Sequence, residues 1–180
     1  MNPVLFVIIL LLFVALNVFG RKLIKYYKDN HTDGFSLPYE FILQNKTHFY
    51  QKLPEKIKKR FLNRLDNFID LHDFEGHQGL TVTDDMRVLI SAAAVHLTLG
   101  LNDYELSDFR KILVYPDVYY SGFSKTTNRG ETNPHGIIVL SWPYVEGGFA
   151  DVTDKMNLGY HEFAHALLLQ HVNNGINDEM

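Results

Sequence analysis

With 180 residues, 46% of them apolar, the chain is long enough for one domain with a packed core and too short for two comfortable ones. A formal charge of −4 offers no basic field to gather nucleic acid, which removes that class of partner. There is no cysteine, so disulfides and thiolate metal sites are excluded, and any metal must be held by His, Asp or Glu.

The chain opens on an apolar run. Pro3 to Phe19 reads PVLFVIILLLFVALNVF, with Asn17 its only polar residue. Such a run lies at the lower edge of what spans a bilayer as a helix. A soluble core helix would keep a polar face, which is missing here. A cleaved signal peptide would carry a basic segment before the run, and Ala15 and Asn17 make a poor cleavage site. Residues 3–20 therefore read as a retained transmembrane anchor. Arg21, Lys22, Lys25 and Lys28 follow at once, and basic flanks stay cytoplasmic. The expectation is a single-pass membrane protein with its folded domain in the cytoplasm.

Residues 21–36 are basic, then polar and turn-rich, and read as a linker; the folded domain is assigned to 37–180. Pro38 to Tyr50 predicts a short helix, and Pro54 opens a second. In the latter, Ile57, Phe61, Leu65, Phe68 and Ile69 recur at helical spacing, with a solvated basic face between them. Thr83 is the expected N-cap of a third helix, which runs through Ala92, Ala93 and Ala94 and ends at Gly100. His96, near its end, reads as a structural histidine. Two strands follow, KILVY over 111–115 and GIIVLSW over 136–142, with a Gly, Asn and Thr-rich loop over 121–135 between them. His135 and Glu146 read as loop residues and Trp142 as packed. A final helix is expected to start near Thr153 or Asp154. Helices, then strands, then a helix imply an α+β fold with a small sheet.

That last helix carries HEFAH over residues 161–165. Helical positions four apart differ by about 40° in azimuth and about 6 Å in rise. His161 and His165 therefore leave one face a turn apart, where two imidazole nitrogens can each reach about 2.0–2.1 Å from one Zn²⁺. Glu162, rotated by about 100°, is placed to act on a water rather than to ligate the ion. Ala164 is small enough to let the helix pack closely behind the metal. This is the geometry of a zinc peptidase, with His161 and His165 as ligands and Glu162 as general base.

A catalytic zinc site takes a third protein ligand. His171 lies ten residues after His161, a spacing some zinc peptidases use, but they place Gly where this chain has Leu168. On a continuous helix His171 would sit about 15 Å along the axis and could not share the ion. Asp178 and Glu179 could fold back after Asn173–Asn174–Gly175. The third ligand thus stays open.

The order of segments resembles the MtfA-like zinc metallopeptidases, a family of gluzincin type. The likeness runs over residues 37–172, through GLTVTDDMRVLISAAAVHLTLG, KILVYPDVYY, GIIVLSW and NLGYHEFAHAL. It implies a zincin-like active-site helix, one zinc ion, His161 and His165 as ligands and Glu162 as base. It also implies a third ligand from a Glu on a later helix and an oxyanion-stabilising Tyr before it. No residue up to Met180 matches either, so the domain is expected to be incomplete at its C-terminus, with two outcomes for function. One is a membrane-anchored zinc peptidase acting on a peptide or protein; the other is a catalytically impaired relative that binds a protein partner. A peptide is expected to lie along a sheet edge offered by strand 136–141. An intramembrane protease is excluded, because Asp151, Asp154, Lys155 and Asn157 flank the motif.

Overall fold

The computed structural model describes residues 37–102, 104–150, 157–173 and Gly175. The expected anchor over 3–20 and linker over 21–36 lie outside the described residues. Among those that are described, no helix is long and apolar enough to cross a membrane.

The first expected helix is two. Helix α1 spans Leu37–Lys46 and α2 spans His48–Gln51, separated by Thr47 in extended backbone. Thr47 is buried, and its N–H and hydroxyl both donate to the Leu43 carbonyl, at 3.0 and 2.7 Å. A hydroxyl competing for a helical carbonyl offers the chain an alternative to continuing the helix. Helix α3, Glu55–Leu71, has Pro54 at its N-cap. Its apolar row behaves as the spacing requires. Phe61, Leu65 and Phe68 are fully buried, and Ile57 and Ile69 are partly so.

Helix α4, Asp84–Thr98, forms the centre of the core. Thr83 caps it as expected, its side chain accepting from the Met86 N–H at 3.3 Å. Ala92, Ala93 and Ala94 are fully buried. Arg64 of α3 closes the other end. Its guanidinium donates to the carbonyls of Thr98 and Leu101, each at 3.0 Å, and lies 3.9 Å over the Tyr104 ring. A cation on the last carbonyls of a helix opposes the negative end of its dipole.

Strands β1 (Asp73–Gly76), β2 (Lys111–Tyr115) and β6 (Ile137–Ser141) run parallel, and β5 (Gly130–Asn133) joins antiparallel to β6. The order β1-β2-β6-β5 makes a mixed α+β architecture. A two-stranded hairpin, β3 (Tyr119–Tyr120) with β4 (Thr127–Asn128), precedes β5. Three expectations are corrected. Strand 136–141 is no edge, because β6 pairs with β2 on one side and β5 on the other. The stretch 121–135 is not one loop but holds β4, β5 and the turn of the hairpin. Glu146 is helical, since α5 (Trp142–Ala150) follows β6 directly, with Pro143 in its first turn where its missing N–H costs nothing. Glu146 lies 3.9 Å from the Lys46 ammonium.

One buried titratable group couples this fold to pH. His72 stacks on Phe68 at 3.7 Å between ring centroids, and its Nδ1 donates to the Phe68 carbonyl at 2.7 Å. Burial pushes its imidazole down from 6.5 to about 4, against the opposing pull of that carbonyl. The unfolded chain takes up this proton near pH 6.5, while the folded chain resists until about pH 4. The stabilisation is therefore whole above pH 6.5 and lost as pH falls to 4, by roughly 3 kcal/mol. Urea unfolding at pH 7 and pH 4.5 should show the loss. His72→Asn, which keeps an N–H for Phe68, should flatten the slope.

Candidate metal centre and its cleft

Helix α6 spans Leu158–Asn173. Asn157 caps it, its Oδ1 accepting from the Tyr160 N–H at 3.2 Å, so the helix starts later than Thr153 or Asp154. Phe163 and Ala166 are fully buried, and Phe163 meets the Phe68 ring edge-on at 5.7 Å. Ala164, expected behind the metal, is instead exposed beside His161 and His165; Ala166 takes the packed position. Tyr160 adds a tether to the core. Its hydroxyl bonds His96 Nδ1 at 2.8 Å, and burial lowers the His96 pKa, which favours the neutral imidazole. His96 also stacks on Phe49, with centroids 3.9 Å apart, a packed position.

The docking leaves both motif histidines facing outward. Their Nε2 atoms are 3.2 Å apart and their rings stand at 87°. Two nitrogens each about 2.0–2.1 Å from one ion, at that separation, subtend about 100°, close to tetrahedral. The pair fits a single zinc ion. Glu162 turns inward and is 5% exposed. The Thr132 hydroxyl of β5 bonds it, lying 2.9 Å from Oε2 and 2.8 Å from the Glu162 carbonyl oxygen. Burial raises the Glu162 carboxyl above its ordinary range, while the Thr132 bond and both imidazoles pull it back.

Gly130 completes the cradle. A Cβ there would stand 2.7 Å from Glu162 Oε1 and 2.7 Å from Leu158 Cδ1. The resulting cleft, of about 340 Å³, is lined by Gly130, Thr132, His161, Glu162, His165 and Leu168. A larger cavity of about 690 Å³ lies between α1, α2 and α5, but its lining holds a single histidine, His48, beside Glu146, and offers no pair of imidazoles for a metal. Chemistry, not size, singles out the smaller cleft.

Among the described residues, no three His, Asp or Glu side chains converge on one metal position. The helix continues past Leu168 to Asn173, so His171 remains on α6, exposed, and does not turn back. Asp178 and Glu179 lie outside the described residues. The residues that sequence reasoning missed are Gly130, Thr132 and Asn157. The first two sit in a polar run, GETN, with no alternating apolar signal, and a cap one turn from the motif was overlooked in favour of earlier Thr and Asp.

The sequence pattern of a family described as glucose-regulated metallo-peptidase M90 matches residues 24–177. An uncharacterized protein of Synechocystis sp. is 27% identical over 141 residues, covering 72% of this chain and 51% of that protein. The chain thus spans about half the length of this curated relative.

Gly130→Ala tests the cradle. The added methyl meets only side-chain atoms that can move, so the variant should fold with a loss of about 1–3 kcal/mol in urea unfolding. The Glu162 carboxylate should be displaced from Thr132, which a crystal structure of the variant would show directly.

Proposed function

The chain belongs to the glucose-regulated M90 family of metallopeptidases, and on that basis we propose that it is a zinc-dependent peptidase held at a membrane by residues 3–20. The observation that carries the reading is the outward pair of imidazole nitrogens 3.2 Å apart, with the buried Glu162 carboxylate between them and the sheet edge.

Zinc held by His161 and His165 would supply Lewis acidity, polarising the scissile carbonyl and making water a better nucleophile. The protein's own work is positional. Glu162 takes a proton as water adds to the carbonyl carbon, then returns it to the amine as the C–N bond breaks. Its raised pKa makes it a stronger base than an exposed carboxylate. Thr132 holds Oε2 at 2.9 Å, which sets the direction of Oε1. Among the described residues strand β5 pairs with β6 on one side only, and we propose that its other main-chain edge takes an extended peptide. An antiparallel or parallel substrate strand on that edge would pass beside both histidines.

A second reading keeps the fold as a protein-binding module without catalysis. It draws support from the absence of a third ligand among the described residues. Two imidazoles alone hold zinc weakly compared with three protein ligands. For localisation, the apolar run followed by Arg21, Lys22, Lys25 and Lys28 supports a single pass with this domain in the cytoplasm.

Zinc content and hydrolysis of quenched fluorescent peptides by the full chain in detergent decide between the two readings. On the peptidase reading, Glu162→Gln retains zinc and loses about 10²- to 10⁴-fold in kcat. His161→Ala and His165→Ala each lose stoichiometric zinc. Wild-type protein with neither zinc nor turnover would leave only the binding module.

A further inference from the structure

Strand β5, the edge of the sheet among the described residues, carries a second carboxylate for which the chemistry above has no use. Thr132 points its hydroxyl at α6, and successive strand residues alternate faces. Glu131 accordingly turns to the other side of the sheet. There its Oε2 accepts from Ser124 Oγ at 2.7 Å and from Asn128 Nδ2 at 2.9 Å, both on or beside the β3–β4 hairpin. Ser124 is within 3.0 Å of Thr126 Oγ1, which in turn donates to Asn128 Oδ1 at 2.9 Å. These partners are all neutral. They fix the direction of the carboxylate and leave its charge intact.

No ion pair forms with Glu131 among the described residues, where Lys46, Lys58, Lys111 and His77 are engaged with other carboxylates. Glu131 nonetheless lines the cleft that contains His161, Glu162 and His165. Nearby, the Tyr119 hydroxyl is buried and has no hydrogen-bond partner among the described residues, close enough to Glu131 and Glu162 to feel both charges. The same hairpin exposes Tyr120 and Phe123. A charge held in place but not neutralised, beside exposed rings and next to an open strand edge, suits a long cationic side chain. Its stem can lie on the aromatic surface while its head meets the carboxylate.

We propose that Glu131 determines substrate specificity by binding a lysine or arginine side chain on the face of the bound peptide strand turned away from α6. The proposal rests on the peptidase reading for the location of the peptide. A strand paired on β5 sends alternate side chains to the two faces. Those on the α6 face meet the metal helix, and the one opposite Glu131 meets its carboxylate.

The test uses the full chain in detergent and extended peptides, acetylated and amidated at their ends, with lysine or isosteric norleucine at each position in turn. A norleucine peptide with a free α-amine is the further arm. Binding is followed by fluorescence anisotropy at low and high salt, and kcat/KM on the same peptides. One lysine position should improve binding by about tenfold or more, less so at high salt. In Glu131→Gln, whose amide oxygen can still accept from Ser124 and Asn128, the lysine-to-norleucine ratio should fall to about one. Ser124→Ala, which keeps the charge but loosens it, should lower the ratio while retaining its salt dependence. The proposal is overturned if wild-type protein shows no lysine preference, if Glu131→Gln keeps it, or if only the free α-amine is favoured. Lysine-selective binding without turnover would sink the peptidase reading while upholding Glu131; turnover without selectivity would do the reverse.

Discussion

Everything at the cleft depends on how α6 docks. Phe163 and Ala166 are buried completely, Phe163 against the Phe68 ring, while α6 as a whole packs on the alanine-lined α4. Because side chains on a helix recur every 3.6 residues, burying those two positions sends 161 and 165 outward and turns 162 toward β5. The Tyr160–His96 bond holds the same rotation from the first turn of the helix. A small rotation of α6 about its axis would expose Glu162 to water and press the imidazoles into the sheet. The core is therefore a positioning device as much as a source of stability.

The second constraint is electrostatic. A carboxylate that is 5% exposed loses most of its hydration, so it survives only with partners. Here the partners are the Thr132 hydroxyl and two imidazoles, which oppose desolvation without cancelling it. The balance leaves Glu162 a stronger base than it would be on a surface. Gly130 contributes by what it lacks, since any side chain at that position would occupy the space of the Glu162 carboxylate. Edge strand and metal helix are thus one unit, joined by a hydrogen bond and a missing methyl.

The chain spans about half of its Synechocystis relative. Zinc held by the two imidazoles would leave half of a tetrahedral coordination sphere to other donors. The described part of the domain is nevertheless organised around those two imidazoles. Glu162 is buried, β5 is the edge of the sheet among the described residues, and a second carboxylate, Glu131, is directed by neutral donors.

The sequence alone determined what depends on local spacing. HEFAH placed two imidazoles on one helical face because four residues are close to one turn. Thr83 and the apolar rows of α3 and α4 were legible for the same reason, and so were KILVY and the β6 run, since buried parallel strands are continuously apolar. Tertiary structure decided the rest. Only pairing with β6 makes a strand of GETN, whose polar residues show no pattern of their own, and that pairing moves the open edge from β6 to β5. Likewise, Thr132 and Gly130 lie about thirty residues before Glu162, and no local rule connects them. Their role comes from the sheet laying its edge against α6, a long-range contact that composition and periodicity do not encode.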